Sequence, residues 1–110
     1  MPEVEYVLIT CAETQDWTGN DQVRLNVDGK WVADAYVGSG QNVYMYNDHM
    51  GSAIFIDAGH LVVMQEVDVV GDDTLAQEWI TAADVASLVK DFDDTTPSAK
   101  YHFHIKWKAP

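Results

Sequence analysis

Apolar and polar residues alternate with a period of two along much of this chain, the pattern of strands with one buried face. Val23, Leu25 and Val27 alternate with Arg24, Asn26 and Asp28. Asp28-Gly29 is a hairpin-turn pair, and Lys30 to Val37 is predicted as the returning strand. The β-formers of Val4 to Thr10 predict an earlier strand, and Gly38-Ser39-Gly40 a further turn. Additional strands are predicted at Val43 to Tyr46, Ala53 to Ile56 and Leu61 to Glu66. The last is Tyr101 to Lys108, with Tyr101, Phe103, Ile105 and Trp107 on one face.

One segment changes period. Thr81 and Asp84 have the spacing of a helix-capping pair, and Val85, Leu88, Val89 and Phe92 recur at helical intervals. A helix is predicted from Ala82 to about Lys90, and the acidic, proline-containing Asp93 to Ser98 as a loop. Seven or eight short strands with one helix before the last of them predict an all-β antiparallel sandwich, and 110 residues suit one domain spanning 1–110.

Charge narrows the function classes. Eighteen Asp and Glu stand against six Lys and Arg, a formal charge of −12. Such a surface repels phosphate backbones, so nucleic-acid binding is excluded, and a basic patch for anionic lipid is missing. There is no apolar run long enough to span a membrane, and the acidic start Met1 to Glu5 lacks the features of a signal peptide. The sequence therefore suggests a cytoplasmic protein or a mature domain. The one cysteine, Cys11, rules out an internal disulfide and is expected as a small buried residue.

The acidic residues are clustered. Asp16 and Asp21, with Glu13 upstream, lie in the first long loop; Glu66, Asp68, Asp72 and Asp73 straddle Gly71. Each cluster follows an apolar strand. Carboxylates gathered at a strand end repel one another unless a cation neutralises them. Calcium suits such a set, since it accepts six to eight oxygen ligands in forgiving geometry. Neither loop has the twelve-residue EF-hand pattern. As isolated turn residues, the same acids need no ion.

Asp16-Trp17-Thr18-Gly19-Asn20-Asp21 and the alternating strand after it resemble the first calcium loop of C2 domains. Glu66-Val67-Asp68-Val69-Val70-Gly71-Asp72-Asp73-Thr74-Leu75 resembles the third. Glu66 stands where that family has Asp, and Ala76 where it commonly has Gly. The resemblance implies a C2-like sandwich, tolerant of a helix before its final strand, that binds Ca2+ between two loops. It makes Asp16, Asp21, Glu66, Asp68 and Asp73 calcium ligands, with Asp72 the alternative to Asp73. It also implies docking on a phospholipid surface through the apolar loop residues Trp17, Val69 and Val70, against the plain alternative that they cap the core.

Other signals are weaker. His102 and His104 alternate on the last strand and could share a metal with Asp48, His49 or His60, but surface histidines on a sheet are the expected reading. Trp31, Tyr44 and Tyr46, with Asn42, Asn47 and Asp48, suit either a glycan-binding face or the rim of a sandwich. Ser39 and Ser52 lie in no nucleophile motif, so no enzyme is expected. A carbohydrate-binding module and a calcium-independent structural or protein-interaction module are the two alternatives to a calcium module.

Overall fold

The computed structural model describes residues 2–13, 20–47, 53–67, 71, 73–96 and 100–110. Its elements are β1 (Val4–Glu13), β2 (Asp21–Val27), β3 (Lys30–Val37), β4 (Asn42–Asn47), β5 (Leu61–Glu66), β6 (Asp73–Trp79), α1 (Ala82–Ser87), β7 (Val89–Asp93) and β8 (Lys100–Trp107). The strands are antiparallel neighbours in the order β6-β5-β2-β3-β4-β1-β8-β7. The eight strands fall within the seven or eight of the antiparallel sandwich expected from the sequence.

The ribbon of strands folds over into two layers. β4 makes the turn, pairing with β1 through Asn42–Met45 and with β3 through Tyr46 and Asn47. Contacts between strands remote in that order show the closure. The Tyr101 hydroxyl on β8 reaches Asp21 on β2, and the Thr95 N–H after β7 donates to the Leu75 carbonyl on β6 at 2.9 Å. The core lies between the layers. Val7 and Ile9 of β1 and Phe103 and Ile105 of β8 meet Val23 and Leu25 of β2, Val62 and Met64 of β5 and Leu75 of β6, all fully buried. Period-two alternation produces this directly, because each strand turns one set of side chains inward. Cys11 is buried with them, as expected.

The hairpin at Asp28-Gly29 forms because both residues take left-handed backbone angles (φ 52° and 80°), the geometry that two-residue loops between twisted strands require. Asp28 also ties this turn to β5. Its Oδ1 accepts the Leu61 N–H at 2.9 Å and its other oxygen meets His60. The Leu61 bond first, and His60 second, hold the Asp28 carboxyl below the usual carboxylate range.

Two expectations need correction. The helix stops at Ser87 instead of running to Lys90. Thr81 caps it by accepting the Asp84 N–H, while the Asp84 carboxylate accepts the Thr81 N–H in return. At its other end Leu88 turns left-handed (φ 68°), and residues 89–93 form β7 against β8, so two strands follow the helix. Val89 and Phe92, three residues apart, keep the helical spacing although they lie on opposite faces of the strand, and no glycine marks the break. The second correction concerns Ala53 to Ile56, where only an isolated bridge from Phe55 to Glu3 forms. β6, by contrast, forms at Asp73–Trp79, for which the sequence pattern predicts no strand. It is an edge strand with Asp73, Thr74, Gln77 and Trp79 exposed, so its burial signal is confined to Leu75 and Ala76.

Candidate functional site

β2 begins, β5 ends and β6 begins at the same end of the sandwich. Asp21 pairs with Val37, Val23 with Glu66, and Glu66 with Asp73, while the Val67 N–H donates to the Gln22 carbonyl at 2.8 Å. The β3–β4 turn packs against this end. A Cβ at Gly38 would come within 2.6 Å of Asn20 Oδ1, so a side chain there would have to displace the Asn20 amide. β1 also arrives here, its Cys11 exchanging backbone hydrogen bonds with Gly40 and Gln41.

Directly opposed residues share a face of a sheet, and residues two apart on one strand share it too. Asp21 therefore points inward with Val23 and Leu25, and Glu66 inward with Val62 and Met64. The two carboxylates close the core at its polar end: Asp21 is fully buried and Glu66 is 8% exposed. Asp73, opposite Glu66, is exposed.

The buried Asp21 carboxylate accepts a hydrogen bond from the Tyr101 hydroxyl across the sandwich. Burial, and then the neighbouring carboxylate, push the Tyr101 pKa far up, so the hydroxyl keeps its proton and donates throughout the accessible pH range. Sequence reasoning places Tyr101 only as a core aromatic. Its partnership with Asp21 depends on two strands 80 positions apart in sequence.

Of the acids singled out from sequence, Asp21, Glu66 and Asp73 lie on adjacent strand ends, the first two buried and Asp73 exposed. Asp16, Asp68 and Asp72, and the apolar residues Trp17, Val69 and Val70, lie outside the described residues. Among the described residues, no group of three or more His, Cys, Asp or Glu is placed to hold a metal ion. The chemistry of the described donors fits a hard cation: carboxylate oxygens only, two of them on directly opposed residues.

The other candidates separate in space. Trp31 lies on β3 with the Arg24 guanidinium 3.9 Å from its ring centre. Tyr44 lies on β4 in edge-to-face contact with Tyr6, ring centres 5.4 Å apart. Tyr36, Tyr44 and Tyr46 are 65%, 47% and 75% exposed. His60 sits beside the β2–β3 turn, at the opposite end from His102, so it is no third ligand for His102 and His104. Asp48 and His49 lie outside the described residues. His102 and His104 instead face Asp91 and Asp93 of β7.

Neither a protein-family model nor a curated protein matches this chain. A solved structure of two C2 domains, A and B, of Extended-Synaptotagmin 2 is similar to it at 16% identity and a TM-score of 0.45. That similarity covers 97% of this chain, which spans 42% of the length of the other.

Proposed function

We propose that this protein is a non-catalytic calcium-binding module, with the ion held at the end of the sandwich where the two acidic loops leave β2, β5 and β6. The observation that carries this reading is the direct opposition of Glu66 and Asp73 on neighbouring strands, beside the buried Asp21. Like charges opposed in this way destabilise a sheet, and a divalent cation removes the penalty. Asp73 and Glu66, joined by Asp16, Asp68 or Asp72, would supply oxygen ligands. Bound calcium would neutralise them, and Trp17, Val69 and Val70 would then meet a phospholipid surface or a partner. No helix among the described residues is long and apolar enough to cross a membrane.

Calorimetric titration with calcium tests the reading. Saturable binding and a raised melting temperature are expected, because a ligand that binds only the folded state stabilises it. Asp68→Asn combined with Asp73→Asn should abolish both. A melting curve that responds equally to calcium and to potassium chloride of matched ionic strength would reject the site. Co-sedimentation with phospholipid vesicles, with and without calcium, then separates membrane docking from a purely structural ion.

One observation favours a second reading, a glycan-binding face. Tyr44 and Tyr46 are exposed on β4, Tyr44 against Tyr6, and aromatic rings of this kind suit the apolar faces of sugars. Tyr44→Ala should then lower binding to a glycan array about tenfold, on the scale of one lost aromatic contact. Trp31→Ala should leave it unchanged, since Trp31 is engaged by Arg24.

A further inference from the structure

The outer face of the β4-β1-β8-β7 layer carries a charge cluster unconnected with the loop end's carboxylates. In the pairing of β7 with β8, Asp93 lies opposite His102 and Asp91 opposite His104. Asp93 Oδ1 is 2.7 Å from His102 Nδ1, and Asp91 Oδ1 is 2.9 Å from His102 Nε2. The same Asp91 oxygen is 2.7 Å from His104 Nδ1. An ionised carboxylate only accepts hydrogen bonds, and a neutral imidazole has one N–H to give. His102 has a carboxylate oxygen at each ring nitrogen, so only the doubly protonated imidazolium satisfies both.

We propose that His102 is a proton-operated clasp: its imidazolium bridges Asp91 and Asp93 and fastens the edge strand β7 to β8, and loss of the proton loosens β7. The strand has reason to depend on it. β7 is five residues long and lies at the end of the strand order, with β8 its hydrogen-bonded neighbour. Phe92, packed on Phe103 with ring centres 5.3 Å apart, is its one fully inward anchor. Lys90 ties it to Asp84 of α1 at 3.3 Å. On the outer face, the histidine–aspartate cluster is what joins the two strands.

The charges around His102 favour its protonated form. β7 presents Asp91 and Asp93. Asp94 follows in the same shallow depression, where its Oδ1 accepts from the Thr96 N–H and hydroxyl at 2.6 and 2.8 Å. On β8 itself Lys100, His104 and Lys106 share the face. β1 opposes His102 with Thr10 and His104 with Leu8; its Tyr6 ring centre is 5.8 Å from that of His104, Cys11 pairs with Tyr101 on the inner face, and Glu13 pairs with Lys100. Asp93 first, and Asp91 second, hold the His102 pKa above the usual histidine value. The clasp therefore contributes fully below the ordinary histidine range and is lost as pH rises through the raised value. For Asp91, burial alone would raise the pKa, but the bonds from His104 and His102 outweigh it and hold the carboxyl below its usual value. That contribution is present above the ordinary carboxylate range and disappears as acid protonates Asp91.

The test is native-state hydrogen exchange of the β7 amides, referenced to those of β2 and corrected for intrinsic exchange, with the His102 ring followed by NMR. Both are run in chelator, so the outcome is independent of calcium. As pH rises through the His102 titration, β7 protection should fall about two- to fivefold relative to β2, the scale of partly exposed charge pairs. His102→Gln should flatten that dependence. Asp93→Asn should move both the ring titration and the loss of protection to lower pH. A His102 titration at or below the ordinary value, or β7 protection that stays parallel to β2 while His102 titrates, would overturn the proposal. So would an unchanged pH profile in His102→Gln, or, if that variant does not fold, in Asp93→Asn.

Discussion

Replacing Trp107 by alanine is expected to cost about 3–5 kcal/mol, enough to consume much of a small domain's typical stability of about 5–15 kcal/mol. Trp107 ends β8 and is 1% exposed. Its indole N–H donates to the Ile56 carbonyl at 2.8 Å, pinning a stretch that has only an isolated bridge to hold it. Truncation removes the apolar burial, leaves a cavity beside Ile56 and strips that carbonyl of its donor. Three losses therefore coincide at one position. Trp107→Phe keeps most of the volume and should cost about 1–3 kcal/mol, which isolates the hydrogen bond. Urea unfolding measures both: the midpoint should fall while the slope is unchanged. A loss for Trp107→Ala comparable with that of an exposed control such as Tyr46→Ala, about 0.5 kcal/mol or less, would show that Trp107 does not anchor this end.

The second large effect concerns Tyr101→Phe, which deletes one oxygen and is expected to cost about 1.5–3 kcal/mol, the range for a hydrogen bond to a charged group. The ring remains, stacked on Phe103 with centres 5.8 Å apart, so packing barely changes. What is lost is a donor to Asp21, whose carboxylate is fully buried and cannot recruit water in its place. If calcium binds at this end of the sandwich, it supplies compensating positive charge. The deficit of Tyr101→Phe should then be smaller in saturating calcium than in chelator. Denaturant unfolding under the two conditions measures it, and an equal deficit in both would assign Asp21 to the fold alone.

Several features were legible because they are local. Lys30 to Val37 and Leu61 to Glu66 match their strands end to end: the first is set by the Asp28-Gly29 turn before it, the second by strict alternation of buried and half-buried positions. Asp28-Gly29 marked its hairpin through backbone angles that few residue pairs tolerate. Thr81 and Asp84 marked the start of the helix through their reciprocal hydrogen bonds. The end of that helix was not legible, because Leu88 adopts a left-handed conformation without the glycine that usually announces it. β6 was hidden for a different reason: an edge strand with little buried surface carries little periodic signal.

The sequence by itself determined that this chain would be a strand-rich antiparallel fold with a strongly acidic surface and acids concentrated in two stretches. Periodicity, turn chemistry and composition act over a few residues and survive without knowledge of partners. Tertiary structure alone decided that those stretches leave neighbouring strands at one end, that Asp21 turns inward to Tyr101, and that His102 lies between two aspartates. Each of these depends on strand order and register, and a pairing between distant segments is set by the whole core closing at once rather than by any local pattern.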